Sequence, residues 1–300
     1  MGSKRSKAVT LAAIDIGSNG ARLLVKRFTP RKGLPTEVEK LMFVRVPLRL
    51  GQDVFTLGRI SERRYGMMAR MLKGFRQFMK LFEVDAYRTC ATSAMRDAEN
   101  GRKVMEKLEK ETGIRLEIIP GKEEAGLLFD NLVEKTDSNE GSFAYIDVGG
   151  GSTEVSLIHD GVLADSHSFN IGTLRLLAGQ VTQEEKDDLK DGLTDYFERF
   201  GKVTIFGSGG NINRLVKLSS NRNSHELPVE DLRRLYEEMK PMSVEERMKS
   251  FDIRSDRADV IVPAAEIFLS CAKYLGCDVI KVPNISLADS IVDGLYKARS

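Results

Sequence analysis

Two stretches of the chain repeat one pattern, in which an apolar strand with an acid near its end runs into a glycine turn. Aligning AIDIGSNGARLLV with YIDVGGGSTEVSL superposes Asp15 on Asp147 and Gly17 on Gly149. A third, looser copy, VTIFGSGGN, ends a strand in glycines without the acid. Such a duplication predicts two related domains that face each other across a cleft, and the cleft is where a ligand is expected.

The rest of the chain alternates predicted strands and helices. From Ser61, a candidate N-cap, apolar residues recur at helical spacing; they are Tyr65, Met68, Leu72, Phe75, Met79 and Phe82. Further helices are predicted at about 99–112, 182–200, 210–219, 229–240, 257–276 and 286–298, with short strands between them. This alternation predicts an α/β fold with largely parallel sheets flanked by helices. With 300 residues, we expect an N-terminal domain over 1–130, joined by the C-terminal helix at about 286–300, and a C-terminal domain over 131–285.

Charge and cysteine content narrow the class of protein. The 46 Lys and Arg residues balance 44 Asp and Glu to a net charge of +2, which offers no field for nucleic acid or a membrane surface. No apolar run approaches the roughly 20 residues of a membrane span, so we expect a cytoplasmic protein. Three cysteines without zinc spacing, Cys90, Cys271 and Cys277, fit buried thiols in a reducing compartment.

The glycine loops indicate an anion site. A single glycine loop of this kind is equally well explained as a tight turn. Three such loops, two of which follow an Asp, favour a common binding function. Glycines let backbone N–H groups approach phosphate oxygens closely without a cationic side chain. The sequence lacks both the G-x-x-x-x-G-K-[ST] motif and a G-x-G-x-x-G that opens a helix after a strand, which argues against P-loop and dinucleotide binding.

Carboxylates on or beside these loops, those of Asp15, Asp147 and Glu154, predict a divalent metal. Mg²⁺ is typically held by one or two carboxylates, waters and the substrate phosphates; Mn²⁺ is the alternative ion. The competing interpretation makes Glu154 a solvent-facing strand residue, because it precedes Val155 in an alternating stretch.

Seven stretches resemble, in order and spacing, the Ppx/GppA family of exopolyphosphatases and guanosine pentaphosphate phosphohydrolases. They are AAIDIGSNGARLLV, ATSAMRDA, IIPGKEEAGLLF, YIDVGGGSTEVSLI, NIGTLRLL, FGSGGNINRL and RADVIVPAAEIF, between about residues 10 and 295. The resemblance implies the fold of the actin, chaperone ATPase and sugar kinase superfamily, with two ribonuclease-H-like domains flanking a cleft. It also implies the short form of the family, without the C-terminal HD-type domain of longer members.

The resemblance implies two catalytic residues. Glu124, the second acid of KEEA, matches the base that activates water, and Glu123 is its neighbour, a surface or supporting residue. Arg96 matches a phosphate-contacting arginine. Without the resemblance, either Glu is explained as a helix N-terminal charge, and Arg96 as an exposed helix arginine.

Other family positions imply phosphate and metal ligands. Phosphate-binding residues are implied at Gly17, Ser18, Asn19, Arg22, Gly149, Gly150, Ser152, Gly207, Gly209 and Gly210, with Arg175 also in reach; metal ligands are implied at Asp147, Glu154 and Asp15. Three departures stand out, because many members carry Ser at Gly20, Arg at Gly126, and LREG where this chain has LADS at 287–290. Fewer basic residues favour shorter polyphosphate or a nucleotide slightly.

The function implied is a Mg²⁺-dependent phosphohydrolase of the stringent response. Its substrates would be inorganic polyphosphate, from which it releases terminal orthophosphate, or pppGpp, which loses its 5′-γ-phosphate. Two alternatives stay open: an ATP-dependent small-molecule kinase on the same fold, and a non-catalytic sensor that binds an alarmone or polyphosphate. Such two-domain chains often form homodimers, although no apolar patch in the sequence requires one.

Overall fold

The computed structural model describes residues 8–135, 140–220, 225–283 and 285–299. The chain divides into two compact units, one made of Met1–Ile119 with Leu287–Ser300 and the other of Pro120–Ser286. The division falls before residue 120 rather than after residue 130. Helix α5 (Gly121–Lys135), which carries Glu124, therefore belongs to the second unit.

The first unit is a sheet with helices around it. Its described elements are β1 (Val9–Ile16), β2 (Ala21–Arg31), β3 (Leu34–Val46), α1 (Leu50–Leu57), α2 (Glu62–Leu81), β4 (Ala86–Ala91), α3 (Ser93–Asp97), α4 (Gly101–Thr112), β5 (Glu117–Ile118) and α13 (Leu287–Lys297). The strand order is β3-β2-β1-β4-β5. Strands β1, β2 and β3 are antiparallel neighbours, whereas β4 and β5 run parallel to β1.

The second unit repeats this plan. Its described elements are α5, β6 (Ser142–Val148), β7 (Thr153–His159), β8 (Val162–Phe169), α6 (Thr173–Leu177), α7 (Gln183–Phe200), β9 (Thr204–Ser208), α8 (Gly210–Leu218), β10 (Glu226–Pro228), α9 (Val229–Met239), α10 (Val244–Phe251), α11 (Ser255–Ala258), α12 (Ile261–Tyr274) and β11 (Val279–Lys281). The strand order is β8-β7-β6-β9-β11, with β10 added at the edge.

Both sheets share one topology, which confirms the duplication that the glycine loops predict. Each begins with three antiparallel strands and continues with two strands parallel to the first. In each unit, carboxyl ends of parallel strands meet at one edge of the sheet, where ligands bind in α/β folds. The predicted α/β class, with one sheet in each of two units, is confirmed.

Local sequence explains the longest helices. The Ser61 hydroxyl accepts from the amide of Arg64 at 3.2 Å and begins α2, as an N-cap should. The predicted stripe from Tyr65 to Met79 is buried, while Phe82 is the C-cap. Helix α7 begins with a reciprocal capping box between Thr182 and Glu185.

The cysteines are buried, as the sequence predicts. Cys90, Cys271 and Cys277 are free and buried, and burial raises the pKa of Cys271 to about 12. In the described ranges, no helix combines the length and the apolar character that crossing a bilayer requires.

Candidate functional site

The second glycine loop, residues 149–152, is a tight connection between β6 and β7. The amide of Gly149 donates to the carbonyl of Ser152 at 2.9 Å and closes the turn. The glycines leave the backbone bare at the carboxyl end of β6.

Short helix α6 binds the carbonyl side of this loop. The carbonyl of Gly149 accepts from the amide of Thr173 at 3.0 Å. That of Gly150 accepts from the amide of Leu174 at 2.8 Å. The next carbonyl, of Gly151, accepts from Arg175 Nε at 2.8 Å.

These bonds orient the amides of the second glycine loop. In a trans peptide the N–H points opposite to the C=O. Since the carbonyls of residues 149–151 face α6, the N–H groups of Gly150, Gly151 and Ser152 face away from it. Three successive amides on one side form the kind of concavity that binds phosphate oxygens. Arg175, implied as a phosphate ligand, instead stabilises the loop through its hydrogen bond to the carbonyl of Gly151.

Gly172, one residue before α6, packs directly against the backbone of the second glycine loop. A Cβ added at Gly172 would lie 2.4 Å from the carbonyl carbon of Gly151 and 2.5 Å from the amide nitrogen of Ser152. Any side chain there would displace the second glycine loop.

Two acids face each other at the base of this loop. Asp147 and Glu154 are directly opposite in the β6–β7 register, which places both carboxylates on one face of the sheet. Glu154 is 1% exposed, so its interpretation as a solvent-facing strand residue is wrong. Its Oε1 accepts from the hydroxyls of Ser152 at 2.6 Å and Ser168 at 2.9 Å.

This pair of acids has the chemistry of a Mg²⁺ site. Carboxylates directly opposite on a strand pair repel each other, and a cation held between them would reduce that repulsion. In the described part of the chain, no three His, Cys, Asp or Glu side chains cluster to form a metal cage. Two carboxylates completed by water and phosphate are what Mg²⁺ uses at phosphate sites, so the donors fit.

The third glycine loop, Gly209–Gly210, lies next to these acids. Strand β9 runs parallel to β6, with Ser208 opposite Asp147. Gly209 is the N-cap of α8 with φ 111°, a conformation that favours glycine. A Cβ there would also lie 3.3 Å from Asp147 Oδ1. Gly207, by contrast, is a packing glycine against Ile280.

Glu124 lies in the first turn of α5 and is 6% exposed. The Ser156 hydroxyl donates to the carbonyl of Ala125 at 3.4 Å, which ties the start of α5 to β7. Glu123 is exposed. The two neighbouring acids therefore have different environments, and only Glu124 is sheltered from water.

The first glycine loop, residues 17–20, repeats the arrangement in the other unit. The amide of Gly17 donates to the carbonyl of Gly20 at 3.1 Å. Carbonyls of Ser18 and Asn19 accept from backbone amides at the start of α1, at 2.8 Å and 2.9 Å. By the same peptide geometry, the amides of Asn19 and Gly20 face away from α1.

The two hairpins differ at one paired position. Asp15 lies opposite Arg22, and the two side chains form a hydrogen-bonded ion pair. The corresponding partner of Asp147 is Glu154. Asp15, implied as a metal ligand, is therefore already neutralised by a guanidinium, whereas Asp147 faces another acid.

Arg96 lies at the same edge of the first sheet as the first glycine loop. It belongs to α3, which follows β4, and β4 is parallel to β1. The amide of Thr92 donates to the carbonyl of Ile16 at 3.1 Å. Arg96 is half-buried and its Nη1 donates to the carbonyl of Ile119 at 2.9 Å, so it is not a freely exposed helix arginine.

The comparisons with known proteins agree with this architecture. The sequence model of the Ppx/GppA phosphatase family matches residues 35–298. The chain belongs to this family.

Relatives of this Ppx/GppA chain include proteins of both named activities. Exopolyphosphatase 1 of Mycobacterium bovis is 26% identical over 307 residues, covering 94% of this chain and 87% of the relative. The guanosine-5′-triphosphate,3′-diphosphate pyrophosphatase of Photobacterium profundum is 23% identical, covering 94% of this chain and 58% of the relative. The crystal structure of the Aquifex aeolicus Ppx/GppA family member has 25% identity and a TM-score of 0.76, covering 98% of this chain and 100% of that one.

Sequence reasoning missed two residues around the second glycine loop of this Ppx/GppA chain. Gly172 stands in the quoted NIGTLRLL stretch, but its steric role depends on a loop about twenty residues upstream. Ser168 reaches Glu154 from β8, a strand pairing that the sequence did not predict.

Proposed function

We propose that this protein is a Mg²⁺-dependent phosphohydrolase that releases a terminal phosphate from inorganic polyphosphate or from pppGpp. The observation that carries the proposal is the second glycine loop. It directs three successive amides to one side, and two facing acids stand at its base. Amides suit phosphate oxygens, and the acids suit the cation that accompanies them.

Phosphate binding falls to the backbone in this proposal. The amides of Gly150, Gly151 and Ser152 would bind oxygens of the phosphate to be removed, without requiring a net positive protein. Arg96, in the first unit, is proposed as a phosphate-contacting residue, because a guanidinium stabilises charge that develops on a phosphoryl group.

Asp147 and Glu154 would hold the metal ion. The hydroxyls of Ser152 and Ser168 orient Glu154 through Oε1, as supporting hydrogen bonds do for carboxylate ligands. When bound, Mg²⁺ supplies neutralisation of phosphate oxygens in the transition state.

Glu124 would orient the attacking water and accept its proton. A carboxylate is well suited to this because it only accepts hydrogen bonds when ionised, so it fixes the direction of a water lone pair. Its burial keeps other waters from competing. The P–O bond to the remaining chain breaks, and the shortened polyphosphate or nucleotide leaves.

The relatives support both substrate classes, since one is named an exopolyphosphatase and another a guanosine-5′-triphosphate,3′-diphosphate pyrophosphatase. Polyphosphate and pppGpp each present a terminal phosphoanhydride to the same loops. Both substrates therefore fit the same reaction, the hydrolysis of a terminal phosphoanhydride.

A release assay tests the proposal. Purified protein is given polyphosphates of several lengths, pppGpp and ATP, with Mg²⁺, with Mn²⁺, and with a chelator, and orthophosphate is measured. We expect metal-dependent release from polyphosphate or pppGpp and little from ATP. Absence of release from every compound, or release that persists in chelator, would overturn the proposal.

A further inference from the structure

A fully buried serine of the second unit follows Glu154 by two residues. Ser156 of β7 is 0% exposed, and its strand neighbours Val155 and Leu157 belong to the apolar core on the other face of the sheet. A hydroxyl taken out of water costs free energy unless it finds a hydrogen-bond partner. The hydroxyl of Ser156 donates to the carbonyl of Ala125 in α5 at 3.4 Å, which offsets that cost.

This bond shows which face of the sheet helix α5 covers. Side chains two residues apart on a strand point to the same face, so Glu154 and Ser156 share the face that Ala125 contacts. Asp147 is opposite Glu154 in the strand register and lies on that face too. Helix α5, which carries Glu124, therefore starts over the face that bears both acids, within one unit.

Glu124 depends on such a contact because it lies at the start of its helix. The first four amides of a helix have no acceptor within it, and the helical bonds of α5 begin where the amide of Glu124 donates to the carbonyl of Pro120 at 3.1 Å. Helix ends fray, so the position of Glu124 depends on what holds the first turn to the sheet. Ser156 supplies such a bond one residue after Glu124.

The connection from Glu124 to the acid pair is short and well supported. Ser156 bonds to Ala125, the residue after Glu124, and it lies two residues from Glu154, about 7 Å along a strand. Strand β7 is paired along its length with β6 on one side and β8 on the other. A bond to this central strand therefore holds the first turn of α5 at a fixed distance from the acids.

We propose that Ser156 is a positioning residue, whose hydroxyl anchors the first turn of α5 to β7 and so fixes Glu124 with respect to Glu154. The inference rests on the proposed function for the roles of these two acids. It adds to the reaction a buried residue that acts only through Glu124.

Three variants separate this role from a general loss of stability. Ser156→Ala removes the hydroxyl, and Ser156→Cys keeps the size of the side chain with a much weaker donor. The matched control is Ser166→Ala. Ser166 lies opposite Ser156 on β8 and shares its face of the sheet, and its buried hydroxyl has no hydrogen-bond partner among the residues that the structure describes.

Hydrogen exchange of the intact protein is the first readout, because it needs no substrate. In Ser156→Ala and Ser156→Cys, the backbone amides of Glu124, Ala125 and Gly126 should exchange about fivefold faster than in the wild type, as expected for the loss of one hydrogen bond. In Ser166→Ala these amides should exchange at the wild-type rate.

Turnover is the second readout, and its pattern separates positioning from binding. In both Ser156 variants we expect kcat to fall about tenfold, a loss typical of residues that support a site. KM and the Mg²⁺ concentration for half-maximal activity should stay within about twofold of the wild type, because contacts with phosphate and metal are unchanged. Ser166→Ala should keep the wild-type kcat.

Wild-type exchange at the start of α5 in both Ser156 variants would overturn the inference, as would faster exchange with an unchanged kcat or an equal loss of kcat in Ser166→Ala. If the wild type hydrolyses no substrate, the proposed function fails, and faster exchange in the two variants still supports the anchor between β7 and α5. If hydrolysis occurs and both readouts match the wild type, only this inference fails.

Discussion

At the scale of single residues, one exchange distinguishes two otherwise matching hairpins. The residue opposite the strand-end aspartate is Arg22 in one unit and Glu154 in the other. The first arrangement neutralises the aspartate, and the second leaves two acids facing each other. The alignment of the two stretches shows these residues, but only strand register shows that each faces an aspartate.

The proposed metal site at Asp147 and Glu154 predicts a weaker response to Mg²⁺ in Glu154→Gln. Gln retains the shape of the side chain and its contacts with Ser152 and Ser168, but it removes the charge that would hold Mg²⁺. We expect the Mg²⁺ concentration for half-maximal activity to rise about 10- to 100-fold, measured by titrating the metal in the release assay. The control Glu184→Gln changes an exposed acid of α7 and should leave that concentration unchanged. Equal metal dependence in all three proteins would remove Glu154 from the site.

The close packing of Gly172 against the second glycine loop predicts that Gly172→Ala loses stability and activity. Its Cβ cannot lie 2.4 Å from Gly151, so the loop must move. Overpacking of this kind costs about 1–3 kcal/mol, and misplaced amides should lower kcat/KM about 100-fold.

Gly126→Ala is the matched control. Gly126 lies in α5 near Glu124, and a Cβ there meets no atom within 4 Å. Alanine should stabilise the helix by about 0.5–1 kcal/mol. Thermal denaturation and steady-state kinetics of both variants test the argument, and a fully active Gly172→Ala protein would contradict it.

At the scale of elements, hydrophobic periodicity predicted the amphipathic helices and missed the elements without an apolar stripe. Helix α2 was predictable because its cap and apolar stripe are both local signals. Strand β3 was missed because it is an edge strand, largely exposed, with charges among its apolar residues. Helix α1 was missed because it begins at a left-handed arginine, which is no sequence signal for a helix start.

A buried ion pair fixes α13 to the first sheet. Lys26 of β2 is 5% exposed, and its Nζ lies 3.0 Å from Asp289 and 2.8 Å from Asp293. Removing one partner from a buried pair costs about 3–5 kcal/mol, because the remaining charge stays desolvated. Lys26→Met should lower the free energy of unfolding by about that amount, measured by urea denaturation. A loss below about 1 kcal/mol, the value of an exposed pair, would show that the pair contributes little.

At the scale of the whole molecule, the duplication was predictable and its extent was not. Two glycine loops with matching acids were sufficient to predict paired domains. The shared strand order depends on long-range pairing that no local pattern encodes. The division before Pro120 likewise depends on the packing of α5 onto β7 and β8.

Burial of all three cysteines predicts that their thiols react slowly with disulfide reagents in the native protein. Burial raises the pKa of Cys271 to about 12 and also raises that of Cys277. At pH 8 these thiols are therefore protonated in the native state, and the thiolate is the reactive form. A disulfide reagent at pH 8 should react slowly with the native protein, and with three thiols after unfolding in guanidinium. Rapid reaction of the native protein would contradict the packing around them.

The most direct test of the central claim compares two neighbouring acids of α5. Glu124→Gln should lower the rate of orthophosphate release from polyphosphate or pppGpp about 10²- to 10⁴-fold, the usual contribution of a general base, with tripolyphosphate binding unchanged. Glu123→Gln alters the exposed neighbour and should keep the wild-type rate. Full activity of Glu124→Gln, or equal losses in both variants, would contradict the assignment of Glu124 as the residue that activates water.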